Sequence, residues 1–270
     1  MSVEVPQESP YKGYVLPDLE GKLVVVTGGS DGIGKELVNQ ATHAGAQVVF
    51  SYRDVNKAQA VTEQTNAKGF HLDLSQGPTI DNFVANLGLQ GNIDYFIANA
   101  GQEFSGSLAD HDHARLMNII GVNAVGNIYL IRKLVLNDLM NPNGQIGIVG
   151  SVAADGNEGQ LAYATAKAAL RAVPGVMGYD PKVKEKGLGT KVIEPAFVRT
   201  PMAERMLRVL ERRVIMPAKL DEFKERRYVM EPDYAAGEIL KLTVNPAATG
   251  VITVPYGANL HDIRKKYFKS

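Results

Sequence analysis

Leu23-Val24-Val25-Val26-Thr27-Gly28-Gly29-Ser30-Asp31-Gly32-Ile33-Gly34 is the stretch that decides the fold. Its aliphatic, β-branched opening reads as a short strand buried on both faces, over 23–27. The glycines that follow permit a tight turn and close approach of the backbone to a ligand. Ile33, Leu37 and Ala41 then recur at helical spacing, and Gly45 closes that helix. A helix opening directly out of a glycine turn presents free N–H groups and the positive end of its dipole, which suits a pyrophosphate. Thr27, Gly28, Ser30, Asp31, Gly32, Ile33 and Gly34 are therefore binding candidates. A glycine-rich turn without a ligand is the alternative, and its place between strand and helix argues against it.

Outward from this stretch, strand and helix signals alternate. Strands are expected over 47–52, 69–72, 93–98, 145–150, 191–193 and 251–254. Helices are expected over 57–65, 80–87 and 233–241, and from Tyr163 onward. A long one over 114–140 is interrupted by small residues near Gly121 and Gly126, and Pro174-Gly175 should break the helix that follows Tyr163. Such alternation predicts right-handed crossovers and an α/β fold: a single domain with a Rossmann-type doubly wound parallel sheet and helices on both faces. Residues 1–20, with Pro6, Pro10 and Pro17, read as an N-terminal arm, and 21–270 as the domain.

Composition narrows the function. The chain has 270 residues, 45% hydrophobic and 21% charged, ordinary for a globular protein. Lys plus Arg equals Asp plus Glu, 29 against 29, so no nucleic-acid partner is expected. The absence of cysteine excludes disulfides, thiolate catalysis and thiolate metal sites. MSVEVPQESP does not read as a signal peptide, and apolar runs such as 23–26 are too short to span a bilayer. A cytoplasmic protein without a membrane partner is the expectation. Asp110-His111-Asp112-His113 suggests a metal cluster, but alternate residues do not share a helix face and Asp is a common N-cap, so no metal site is expected there.

In parallel α/β sheets ligands sit beyond the C-terminal ends of the strands, and the remaining polar motifs fall there. Ser151 follows the fifth strand, Tyr163 comes twelve residues on, and Lys167 four beyond it, on the same helix face. Asn123 lies in the long helix between the two small residues. The T-G-x3-G-x-G spacing of 27–34, together with Tyr163-Ala164-Thr165-Ala166-Lys167, resembles the classical short-chain dehydrogenase/reductase family. The resemblance implies that Ser151, Tyr163, Lys167 and Asn123 form a catalytic set. Tyr163 would be the acid/base, with a phenol ordinarily near 10 lowered by a nearby ammonium and an oxidised nicotinamide. Ser151 would hydrogen-bond the substrate oxygen. Lys167 would also reach the nicotinamide ribose, and Asn123 would support a water chain to the lysine.

The same resemblance extends the binding set. Asn99, Ala100 and Gly101 match its N-A-G after the fourth strand. Asp73 and Leu74 stand where the family contacts adenine, although Asp73 also reads as a turn residue. Tyr52 holds the usual acidic position after the second strand and Arg53 follows, which favours NADP(H) over NAD(H). Asp31 tempers this. Pro195, Phe197, Val198 and Thr200 stand beside the nicotinamide, with Ala196 in place of the family's glycine. Residues 200–230 occupy the substrate loop, where Met202, Met206, Leu207 and Leu210 form a candidate apolar lid. The loop's arginines read either as an anion site or as a solvated face. Glu194 could touch the substrate or pair with a basic residue, and Glu103 and Phe104 are candidate pocket walls. Val254-Pro255-Tyr256-Gly257 replaces the family's D-G-G.

What the resemblance implies is hydride transfer between NADP(H) and a small carbonyl or secondary alcohol, 3-oxoacyl thioesters being one case, by a homodimer or homotetramer. The competing reading is a family-derived dinucleotide-binding sensor or structural protein without turnover.

Overall fold

The computed structural model describes residues 16–212 and 230–254. Most of the expected arm, the stretch 213–229 of the substrate loop, and Pro255-Tyr256-Gly257 lie outside the described residues.

Seven parallel strands form one sheet in the order β3-β2-β1-β4-β5-β6-β7. They are β1 (Leu23–Val26), β2 (Gln47–Tyr52), β3 (Lys68–His71), β4 (Ile93–Ala98), β5 (Met140–Val149), β6 (Gly189–Glu194) and β7 (Gly250–Thr253). The chain winds outward from β1 to β3, then returns to β4 on the other side of β1. This reversal opens a crevice above the C-terminal ends of β1 and β4.

The helices α1 (Gly32–His43), α2 (Val55–Thr65) and α10 (Pro232–Val244) cover one face. α3 (Gly77–Gly88), α5 (Asn127–Leu136), α6 (Leu161–Leu170), α7 (Val173–Met177) and α8 (Pro181–Glu185) cover the other. α4 (His113–Ile120) and α9 (Pro201–Arg212) complete the α-helices among the described residues. Because side chains alternate along a strand, Val24 and Val26 pack under α1 and α10 while Leu23 and Val25 pack under α3 and α5. A strand sandwiched in this way must be apolar throughout, which is why 23–26 carries no polar residue.

The structure moves several expected boundaries. β5 starts at Met140 rather than at 145, because Met140 pairs with Ile93 before the register shifts. α6 starts at Leu161, ahead of Tyr163, and ends at Leu170. Pro174 then sits in the first turn of α7, where a missing N–H is harmless. The interruption in the long helix is a single π-helical turn, Gly121–Gly126, joining α4 to α5. The whole span His113–Leu136 is long and apolar enough to cross a membrane, but 56% of its apolar window is buried inside the domain.

Leu37 is fully buried between the sheet and α10 on the helix that follows the glycine turn. Leu37→Ala should cost about 2–5 kcal/mol of stability by leaving a cavity, measured as a lower urea midpoint with an unchanged slope.

Candidate active site

The glycine turn is held from below. The Gly28 N–H donates to the Ser51 hydroxyl at 2.9 Å and the Gly29 N–H to the Ser51 carbonyl at 2.9 Å. Gly28 has φ +66° and Gly32 φ +52°, values side chains rarely adopt. At Gly34 a Cβ would lie 2.0 Å from the Gly28 carbonyl oxygen, so no larger residue fits. Asp31 caps α1 by accepting from the Gly32 N–H, and its other oxygen pairs with Lys57 of α2.

Thr27 departs from its expected place. Its side chain is fully buried, and its hydroxyl accepts from the N–H groups of Asn99 at 3.0 Å and Ala100 at 2.9 Å. Asn99 returns the bond, donating to the Thr27 carbonyl at 2.9 Å. Thr27 therefore ties β1 to the segment after β4 and lies beneath the site instead of lining it.

Every other candidate for the catalytic set or the cofactor site lines one cavity of about 520 Å³ above the C-terminal edge of the sheet. Gly28, Ser30, Asp31, Gly32, Ile33 and Gly34 form its floor; Tyr52, Arg53, Asp73 and Leu74 one end; Asn99, Ala100, Gly101 and Asn123 the middle. Ser151, Tyr163, Lys167, Pro195, Phe197, Val198 and Thr200 close the other end. Asp73 takes the turn role, accepting from the Ser75 N–H and hydroxyl at 2.9 and 2.7 Å, and it also lines the cavity. Burial pushes its carboxyl up, but the Ser75 bonds and the Arg53 charge outweigh this and hold it below the usual value.

The π-helical turn places Asn123. Its amide donates to the carbonyls of Gln102 at 2.7 Å and Ile119 at 3.0 Å, and its oxygen accepts from the Gln102 N–H at 2.9 Å. Gly101 is needed opposite, since a Cβ there would meet the Asn123 oxygen at 2.5 Å.

Ser151 hydrogen-bonds Tyr163 and also caps the turn Val152–Asp155 by accepting from the Ala153 N–H at 3.1 Å. The expected lowering of Tyr163 by Lys167 is not what the structure shows. Burial pushes the phenol up to about 12, Ser151 opposes this, and the Glu103 carboxylate adds to it. The Lys167 ammonium instead donates to the Val149 carbonyl at 2.7 Å and sits 5.7 Å from the Tyr163 ring centre. Burial pulls Lys167 down to about 8, opposed by Glu194.

The substrate side holds residues the sequence reading left out, Gln160, Asn157 and Glu158, together with Arg205, one of the loop's arginines. Gln160 bonds Glu103, accepts from Asn157 at 3.0 Å, and meets the Met206 sulfur at 3.0 Å. Glu103 is a wall, as expected, and its carboxyl is raised by burial against bonds from Ser105 and Gln160. Met202 and Met206 line the cavity from α9. Phe104 does not line it; it stacks under Arg115, 4.2 Å from the ring centre, and against His111. Asp112 caps α4 through the Arg115 N–H, and Asp110 accepts from Ser107. Glu194 is turned away from the cavity into a bidentate pair with Arg171, at 2.6 and 2.9 Å.

The family model for short chain dehydrogenase matches residues 22–209. The 3-oxoacyl-(acyl-carrier-protein) reductase of Escherichia coli (strain K12) is 29% identical over 198 residues, covering 70% of this chain and 78% of that protein. The corresponding reductase of Vibrio harveyi is 31% identical over the same shares. Among solved structures, a short chain dehydrogenase from Burkholderia cenocepacia in complex with NADP superposes with a TM-score of 0.74 at 24% identity, covering 88% of this chain and 98% of that one. BdcA in complex with NADPH gives 0.71 at 23%, covering 90% and 97%.

Gly34→Ala should push the turn apart at Gly28. Far-UV circular dichroism should stay unchanged while dinucleotide affinity, measured by calorimetry, falls at least about tenfold.

Proposed function

The chain belongs to the short-chain dehydrogenase family, and from that premise we propose that it reduces a small carbonyl compound to a secondary alcohol with NADPH, Tyr163 delivering the proton. It is an NAD(P)-dependent dehydrogenase/reductase. The observation that carries the finer reading is the meeting of Ser151, Tyr163 and Lys167 with the glycine turn in one cavity.

The residues present fit a dinucleotide. Gly34 leaves a cradle that a Cβ would fill, at the open N-terminus of α1. The turn 28–34 would hold the pyrophosphate, Asp73 and Leu74 the adenine, and Asn99, Ala100, Gly101, Lys167 and residues 195–200 the nicotinamide half. Bound there, the cofactor supplies the hydride that the chain itself lacks. Arg53 supports the choice of NADP(H), as the basic group nearest the end of β2 in the cavity. Asp31 opposes a 2′-phosphate less than its charge alone suggests, because Lys57 pairs with it.

A phenol pushed up to about 12 is fully protonated near neutrality, so Tyr163 stands ready as an acid. It donates to the substrate oxygen as negative charge develops there, and Ser151 donates to the same atom. Asn123 holds the Gln102 segment against the helix, keeping the cavity's middle rigid. Met202 and Met206 beside the polar Gln160 and Glu103 suit a substrate with an apolar body and a polar end. A 3-oxoacyl thioester has that character, and two relatives are reductases of such compounds. Met117, Val125 and Ile128, exposed along α4–α5, support assembly into a homodimer or homotetramer.

The test begins with NADPH and NADH titrations followed by nucleotide fluorescence, on a low background since the chain has no tryptophan. NADPH should bind at least about tenfold more tightly than NADH, and Arg53→Ala should erase most of that difference. Tyr163→Phe should lower kcat by about a hundredfold or more with the NADPH Kd unchanged. Nucleotide binding without turnover of any 3-oxoacyl thioester, ketone or secondary alcohol would favour a non-catalytic role.

A further inference from the structure

Tyr163, Lys167 and Arg171 recur every four residues on one face of α6 and just beyond it. The reaction proposed above uses the first two. Arg171 instead spans two carboxylates. Its Nε and Nη2 donate to Glu194 at 2.6 and 2.9 Å, and its Nη1 donates to Asp155 at 2.6 Å. Glu194 is the buried partner, its side chain 1% exposed, whereas Arg171 and Asp155 keep 27% and 35%. A buried carboxylate without such a partner would be costly, so the bidentate arginine is what allows it there.

The sheet register brings Glu194 close to Lys167. The Lys167 ammonium bonds the Val149 carbonyl, and Val149 pairs with Ile193, the neighbour of Glu194 on β6. Gly150, between Val149 and Ser151, makes room. A Cβ at that position would lie 2.8 Å from Glu194 Cγ, so the side chain runs directly beneath the backbone leading to Ser151. Asp155 stands at the end of the turn that Ser151 caps. Glu194 also immediately precedes Pro195, where the cavity's far wall begins.

We propose that Glu194 is a positioning residue for the reaction: held beneath the Ser151 turn by Arg171, which Asp155 anchors from its other side, it keeps the Lys167 ammonium charged and in place beside Tyr163. The inference rests on the hydride-transfer reading above. The charged and titratable groups around Lys167 are Tyr163 and Arg171 from its own side, Glu194 from β6, and Asp155 from the turn after β5. Glu103 faces Tyr163 from the segment after β4. Of these, Glu194 is the charge that opposes the effect of burial on Lys167. The sign follows. An ammonium drawn down to about 8 by burial is largely charged at pH 7 and loses its proton as pH rises through that value. Without the carboxylate, the loss would begin at lower pH.

Lysine labelled with 13C at Cε lets Lys167 be titrated directly by NMR in the protein without substrate, with Lys167→Met assigning the signal. In Glu194→Gln, which keeps an acceptor for Arg171, Lys167 should titrate at lower pH than in the parent. Its kcat for reduction should fall about tenfold at pH 8.5 and less than about twofold at pH 6.5. Arg171→Met supplies a second variant should the first fail to fold. It leaves Glu194 either charged and unpaired or protonated, and in both cases the Lys167 titration moves. A Lys167 titration and a pH profile that match the parent in whichever variant folds would overturn the proposal, leaving the cluster a purely structural tie. Because the NMR readout needs no turnover, that result is separate from survival of activity in Tyr163→Phe, which would sink the reaction itself.

Discussion

The hydrogen bonds between Thr27 and the Asn99-Ala100 backbone hold together the point where the sheet reverses its winding. β1 and β4 are neighbours in the sheet but far apart in the chain, and both end at the same crevice. The Thr27 hydroxyl takes the N–H groups of Asn99 and Ala100 just past the end of β4, and the Asn99 side-chain amide donates to the carbonyls of Thr27 and Gly28. The glycine turn, the N-terminus of α1 and the N-A-G segment are thereby set at fixed distances. The proposed dinucleotide site depends on that spacing, since a pyrophosphate would be met by backbone groups that cannot adjust one at a time.

Burial acts on the two central titratable groups in opposite senses. It raises the Tyr163 phenol and lowers the Lys167 ammonium, because in each case it penalises the charged form. The protein answers with Ser151 beside Tyr163, and with the Val149 carbonyl in contact with Lys167 and the Glu194 charge acting on it. Tyr163 is left protonated, the state that the proposed reduction would need in a proton donor. The Lys167 ammonium bonds the Val149 carbonyl and sits 5.7 Å from the Tyr163 ring centre.

The π-helical turn at Gly121–Gly126 shows how an irregularity serves the site. The Asn123 side-chain amide donates to the Ile119 carbonyl, and the Asn127 side-chain amide to the Val122 and Asn123 carbonyls. The widened turn thus carries two buried amides that reach the segments after β4, at Gln102 and Ala100.

The sequence by itself determined the parts that depend on chain neighbours. A valine run must be a buried strand, glycines at 28, 32 and 34 must make a tight turn into a helix, and Tyr163 and Lys167, four apart, must share a face. The order of alternating elements then left a doubly wound sheet as the outcome, with the polar motifs at its C-terminal edge. Tertiary structure decided what depends on residues distant in the chain. Thr27 lies under the cavity because Asn99 and Ala100 claim its hydroxyl. Lys167 points to Val149 because β5 ends beneath α6. Gln160 meets Met206 because α9 crosses the cavity beside the start of α6. Glu194 faces Arg171 rather than the cavity because β6 pairs beside β5 in a register that sets it over Gly150. Each of these is a contact across the sheet or between layers, and periodicity along one segment carries no information about which partner will be brought to it.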